Sequence, residues 1–275
     1  MAKITIGADP EFGFLRADGT LVSPGSVIND TLSDRFGIDG SGRVAELRPD
    51  YSSSPAGLVD TIKQILQRGY DTNQASHHLV WKAGSVAGEE PIGGHVHLGH
   101  STLAAHGQVC DDLGVALAKV VSPVVAMAED REEAILRRVG SNYGTIDGEN
   151  CMRLQAHGIE YRTLPSWLTS PQDALSVLTL CYVVGSNFDN ADFMNAAMAL
   201  PEVDSEFFSD CNKRAMVFYL QDIAKVLKKA NGFKEMLPAM APMFDLIIKS
   251  KSFDVDQDMK QSWGLKLKKE AAVNV

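Results

Sequence analysis

Four short stretches of this chain carry polar residues two positions apart inside otherwise apolar sequence, and this repeated spacing limits the fold more than any other feature. They are Ala8-Asp9-Pro10-Glu11-Phe12, Ala45-Glu46-Leu47-Arg48-Pro49, Gly93-Gly94-His95-Val96-His97-Leu98-Gly99 and Gly158-Ile159-Glu160-Tyr161-Arg162. In an extended strand, residues i and i+2 point to the same face. The spacing therefore predicts four strands that present Asp9/Glu11, Glu46/Arg48, His95/His97 and Glu160/Arg162 on one side and hydrophobic residues on the other. Together they describe a sheet with an apolar back and a front loaded with charge.

The remaining elements are placed around these strands. Pro10 interrupts the alternation from Lys3 to Leu15, and because it lacks an amide donor it predicts an edge position or a bulge. Turn signals over 17–30 predict hairpins, and Asp39-Gly40-Ser41-Gly42 predicts a tight turn into the strand Arg43–Arg48. Ser52, Ser53, Ser54 and Pro55 open a helical pattern whose Leu58, Ile62, Ile65 and Leu66 are expected to cover the apolar back. Leu79–Ala83 and Ile92–Leu98 read as strands joined by a loop over 84–91. A helix is expected from Leu103 to about Arg138, broken near Pro123, with Leu113, Leu117, Val120, Val121, Val124 and Val125 in one stripe. The glycine-rich loop Gly140–Asn150 is long for a connector and is expected to cover a site. Met152–Ala156 and Ile159–Thr163 form a hairpin about His157-Gly158, and helical pattern follows over 171–187, about 205–230 and 233–250. Strands first and helices afterwards indicate an α+β domain with an antiparallel or mixed sheet, a single domain over 1–275 in which 200–275 is a helical C-terminal extension.

Charge narrows the class of function. The net charge is −9, and residues 1–201 hold 24 acidic against 14 basic side chains, whereas 202–275 hold 11 against 12. The acidity accompanies the paired strands and argues against direct binding to duplex nucleic acid. Cys110, Cys151, Cys181 and Cys211 are scattered without Cys-x-x-Cys pairs, which suits a reduced cytoplasmic protein. No secretory signal is expected at the N-terminus. The longest apolar run, about Ala174 to Gly185, is shorter than the ~20 residues needed to cross a bilayer and reads as a buried helix.

Carboxylates in apolar strands are costly unless cations offset them. If Asp9, Glu11, Glu46 and Glu160 converge, they form an oxygen-rich site suited to magnesium or manganese. A His-x-His pair can equally serve zinc, or be structural; flanking glycines allow close approach of a ligand and favour His97 as the metal-binding member. Arg48, Arg153 and Arg162 belong on such a face if it also holds anions, since a guanidinium pairs with phosphate or carboxylate. The alternative for Arg48 and Arg162 is an ion pair with Glu46 and Glu160. No P-loop, dinucleotide-binding glycine fingerprint or Gly-x-Ser-x-Gly elbow is present, so any nucleotide must be held by the sheet itself.

Taken in order, the segments around Asp9, Glu46, His95 and Glu160, the last continuing as Thr163-Leu164-Pro165-Ser166-Trp167-Leu168, resemble the phage-associated carboxylate–amine ligases, the COOH-NH2 ligase type 2 group of the glutamine synthetase and glutamate-cysteine ligase superfamily. The resemblance covers about residues 4–185. It implies a curved, mostly antiparallel sheet of about six strands, with helices on its convex face and ATP and two or more magnesium (or manganese) ions on its concave face. By resemblance Asp9, Glu11, Glu46, His97 and Glu160 are metal ligands, with Asp9 standing where the family often has glutamate. Glu160 also bridges metal and nucleotide, and Arg153 and Arg162 contact the ATP phosphates. Glu160, Arg162 and Arg48 form the catalytic set. Asp39, Arg48, His95 and Tyr143 are the expected substrate contacts, with Arg48 on the carboxylate and Asp39 on the ammonium. The implied reaction joins small-molecule or peptide carboxylate and amine substrates through an acyl-phosphate, in the cytoplasm, the host's if the chain is phage-encoded. Readings from other classes are a metal-dependent hydrolase using the two histidines, a guanidino-kinase-like phosphotransferase and a catalytically silent binding protein.

Overall fold

The structure is a computed structural model that describes residues 1–28, 34–138, 144, 151–202 and 213–267. Its strands are β1 (Thr5–Leu15), β2 (Leu21–Val22), β3 (Phe36–Ile38), β4 (Ala45–Leu47), β5 (Val80–Lys82), β6 (Val86–Ala87), β7 (Glu90–Pro91), β8 (Gly94–Gly99), β9 (Met152–Gln155) and β10 (Gly158–Tyr161). Six of them follow one another across the main sheet in the order β3-β4-β1-β8-β10-β9, with every neighbouring pair antiparallel. β2 and β5 pair with the far end of β1, and β6 and β7 form a separate hairpin. The helices are α1 (Pro55–Thr72), α2 (Ser101–Ala105), α3 (Gly107–Ala128), α4 (Arg131–Arg138), α5 (Pro171–Gly185), α6 (Ala191–Met198), α7 (Lys213–Leu227), α8 (Phe233–Ile248) and α9 (Met259–Ser262). This is the expected α+β architecture.

Alternation along β1 separates the two faces. Ile6, Ala8, Phe12 and Phe14 turn to the core and are nearly fully buried, while Asp9 and Glu11 turn to the front with Gly7 and Gly13. Phe12 stacks on Trp81 at 5.4 Å and meets Phe14 and Phe36 edge-on at 5.3 and 5.6 Å. Each such ring contributes roughly 1.5–3 kcal/mol by burial. α1, α3 and α5 pack on this apolar back. Ser54 caps α1 by accepting the Gly57 amide, and Leu58, Ile62 and Leu66 are fully buried. α5 is buried on nearly all sides because α1, α3 and α8 surround it.

Three expectations about local structure are corrected. Pro10 lies inside the central strand rather than at an edge. The Glu11 amide faces β8, where it donates to the Gly93 carbonyl, so the adjacent Pro10 nitrogen faces the other neighbour, β4, whose pairing begins only at Glu11. Pro123 does not break its helix; the interruption comes at Glu129–Asp130. The proline leaves the Lys119 carbonyl without its helical donor, and the Tyr219 hydroxyl from α7 supplies one at 3.0 Å. The segment between the strands at Val80 and Gly94 is not a plain loop: it contains the β6–β7 hairpin, which packs against the front of β1 where a Cβ on Gly13 would lie 2.4 Å from Ala87 Cβ.

Candidate active site

The front of the sheet is laid out in rows by the strand register. Glu11 stands opposite Glu46, Asp9 opposite His95, and His97 opposite both Gly7 and Glu160, with Arg153 on the far side of Glu160. Two clusters result. Asp9, His97 and Glu160 form one and Glu11, Asp39 and Glu46 the other, each with its ligand atoms within 4.8 Å of one another. The first four segments of sequence thus meet on one surface, and Asp39, expected beside an ammonium, stands with Glu11 and Glu46.

In the first cluster His97 Nε2 lies 3.0 Å from Asp9 Oδ1, and His97 Nδ1 lies 3.2 Å from His157 Nε2. Burial alone would raise the Asp9 carboxyl, but the His97 hydrogen bond and charge, with His95 nearby, outweigh it and hold the carboxyl below its usual range. His97 moves the other way: burial opposes its protonation, and Asp9 and Glu160 more than restore it. His95 sits 3.6 Å from Asp9 and 3.7 Å from Glu160, yet burial dominates and lowers its pKa to about 4. Glu160 is almost fully buried. Its Oε2 accepts from Gln155 Nε2 at 2.6 Å and lies 3.4 Å from Arg153 Nη1, and its Oε1 lies 3.2 Å from Arg162 Nε.

The second cluster is poorer in positive charge. Glu11 Oε2 accepts the Gly93 amide at 2.7 Å, but burial, reinforced by Asp39 and Glu46, raises its pKa to about 8. Burial likewise raises Glu46 to about 7, although Arg48 Nη2 lies 2.6 Å from its Oε1. The same Arg48 nitrogen donates to the Ile38 carbonyl at 2.8 Å. Asp39 is aligned by the Ser41 amide at 2.8 Å. Both ion pairs considered for Arg48 and Arg162 are therefore formed. Arg162 Nε is buried, and its approach to Glu160 is an ion-pair contact rather than a well-angled hydrogen bond.

Buried carboxylates whose burial is only partly offset by positive neighbours, together with one imidazole, are a donor set for hard divalent cations. The residues present fit such ions at both clusters. Beside the first cluster opens a cleft of about 820 Å³ lined by Lys3, Gly7, Asp9, Arg48, Tyr51 and His97 among others. The absence of a side chain at Gly7 keeps its floor low. Tyr143 and the rest of the Gly140–Asn150 loop, apart from Gly144, lie outside the described residues.

Sequence reasoning did not single out Gln155 and His157 as partners of the site. Gln155 shares a face with Arg153 two residues earlier, a signal visible once the β9–β10 register is known. His157 occupies the turn of that hairpin, where periodicity gives no direction.

A family model described as Phage phiEco32-like COOH.NH2 ligase-type 2 matches residues 6–265, reaching well past the motifs that end near residue 185. No curated protein matches the chain. Among solved structures, the complex between prokaryotic ubiquitin-like protein Pup and its ligase PafA aligns with a TM-score of 0.57 at 11% identity, over 95% of this chain and 66% of that one. GmaS without ligand aligns at 0.45 and 12% identity, over 88% and 69%. A bifunctional glutathione synthetase from Pasteurella multocida aligns at 0.46 and 10% identity, over 95% and 51%. The chain thus spans just under two thirds of the PafA chain and about half of the glutathione synthetase. At these identities the PafA likeness bears on fold alone.

Proposed function

This chain belongs to the phage phiEco32-like COOH.NH2 ligase-type 2 family, and from that premise we propose that it is an ATP-dependent ligase joining a carboxylate to an amine through an acyl-phosphate. The observation that carries the reading is the side-by-side placement on one sheet face of two clusters able to hold cations, with Arg153 and Arg162 around the Glu160 that belongs to the first. A hydrolase would use those guanidiniums only as partners of Glu160, with no phosphate to bind.

In the proposed reaction a substrate carboxylate oxygen attacks the γ-phosphorus of ATP, the bond from that phosphorus to the bridging oxygen breaks, and ADP leaves. The amine nitrogen then attacks the acyl carbon, the carbon–oxygen bond to phosphate breaks, and the nitrogen gives up a proton as the amide forms. Magnesium, when bound, neutralises charge on the phosphoryl group in transfer. Asp9, His97 and Glu160 would hold one ion and Glu11, Asp39 and Glu46 another. Arg162 and Arg153 bind phosphoryl oxygens, and Gln155 fixes the rotamer of Glu160. Arg48, on the border between the second cluster and the cleft, orients the substrate carboxylate, and His95, held neutral by burial, stands opposite Asp9 on β8 as a further substrate contact. The cleft beside Asp9 and His97 receives the nucleotide, as Lys3 and Arg48 bring positive charge to it.

The test is release of ADP and phosphate from Mg-ATP across a panel of amino acids, small peptides and amines, in wild type and Glu160→Gln. Turnover that requires both a carboxylate and an amine, and that falls at least about 100-fold in the variant, is expected. Equal ADP formation in the two proteins would remove the role given to Glu160.

A further inference from the structure

Arg137, in the last turn of α4, is only 2% exposed, and a buried guanidinium is costly unless its donors are well used. Its Nη1 donates to the Thr163 carbonyl and its Nη2 to the Leu164 carbonyl, each at 2.7 Å. Those carbonyls belong to the two residues that directly follow Arg162. The Leu164 carbonyl also accepts the Gly94 amide at 3.0 Å, and the next residue, Pro165, bridges to Gly93. The Gly93 amide in turn holds Glu11 Oε2. One fork therefore grips the short backbone segment between the phosphate-facing Arg162 and the clasp on the cation-facing Glu11. Its charge is also felt at Glu11 and His95. Gly144 passes against the guanidinium so closely that a Cβ there would lie 2.1 Å from Nη1.

We propose that Arg137 is a positioning residue for ligation: it fixes the 163–165 backbone so that Arg162 and Glu11 keep their spacing across the site, without touching substrate itself. The proposal rests on the reading of the clusters as cation sites. Two planar donors are needed for two carbonyls, so a lysine, with one compact ammonium, keeps the charge and loses the grip. Residues that orient a metal's ligands typically change metal affinity or activity 10–100-fold when altered.

The experiment compares full-length wild type, Arg137→Lys and Arg137→Met for Mn2+ affinity by titration without nucleotide, for kcat and KM of ATP, and for thermal unfolding. The expected result is Mn2+ binding weakened about 10-fold and kcat reduced about 10–100-fold in both variants, at temperatures where circular dichroism shows them folded. Gly144→Ala, which displaces the fork but retains the arginine, is expected to do the same and serves if the Arg137 variants do not fold. Wild-type Mn2+ binding with folded variants that bind and turn over like wild type would overturn the role of Arg137 alone, as would activity lost only in proportion to folded protein. A wild type that binds no Mn2+ would overturn the cation-site reading and this proposal with it.

Discussion

His97 sits between an acid and a second imidazole, and its contacts show how the site balances charge: Asp9 and Glu160 favour its proton, while it holds Asp9 ionised. At Glu11 and Glu46 burial outweighs the Gly93 amide and Arg48, which gives a testable pH dependence. Their folded pKa values, about 8 and about 7, lie above the ordinary glutamate value. A carboxyl raised on folding binds its proton more tightly in the native state, so its contribution to stability is full below the unfolded pKa and is lost as pH rises through the folded one. The metal-free protein should lose thermal stability as pH rises from about 5 to about 9, and Mg2+ or Mn2+ should raise the melting temperature more at the alkaline end. Glu46→Gln should flatten the trend; a metal effect of equal size at both ends would contradict it. Of these residues, the pairs were legible because period-two spacing alone assigns them a common face. Gln155, His157 and Arg137 were not read as site partners, since their places follow from a hairpin register, a turn and a helix end that only the folded chain brings together; Asp39 was read as a substrate contact, and its place beside Glu11 and Glu46 follows from a turn.

At the scale of elements, the prolines show where local rules give way. Pro123 is a helix breaker by propensity, yet the helix continues through it, and the Tyr219 hydroxyl donates to the Lys119 carbonyl that the proline leaves without a helical partner. Tyr219→Phe should therefore destabilise the protein by about 1–2 kcal/mol, read as a shift in the urea midpoint; an unchanged midpoint would mean the bond contributes nothing. The strand containing Pro10 was legible from its apolar alternation, but its central position was not, since which neighbour pairs at which residue is a property of the sheet. The β6–β7 hairpin escaped notice for a similar reason: each strand has two residues, too few for alternation to register.

At the scale of the molecule, one hydrophobic cluster runs from Ile4 to Leu265, and the last described residues strap it. Lys82 Nζ donates to the Val255 carbonyl at 2.6 Å, the Trp81 amide to Asp258 Oδ1 at 3.2 Å, and Trp263 Nε1 to the Leu168 carbonyl at 2.7 Å. Phe253, Met259 and Trp263 are buried there; together their side chains contribute roughly 5–9 kcal/mol, comparable to the whole stability of a typical domain, about 5–15 kcal/mol. We propose that the C-terminal helices belong to the same folding unit as the sheet. Truncation after Ser250 should abolish cooperative thermal unfolding, and a truncated protein melting like the full chain would refute this. Strands followed by helices were legible in the order of patterns; the strapping was not, because it is made by side chains with no periodicity. Among the described residues no helix is long and apolar enough to cross a membrane. Anomalous diffraction from crystals grown with Mn2+ and a non-hydrolysable ATP analogue is the most direct test of the two-cluster site. One manganese is expected among Asp9, His97 and Glu160, in contact with the triphosphate, and another among Glu11, Asp39 and Glu46; nucleotide bound with neither cluster carrying metal would contradict this.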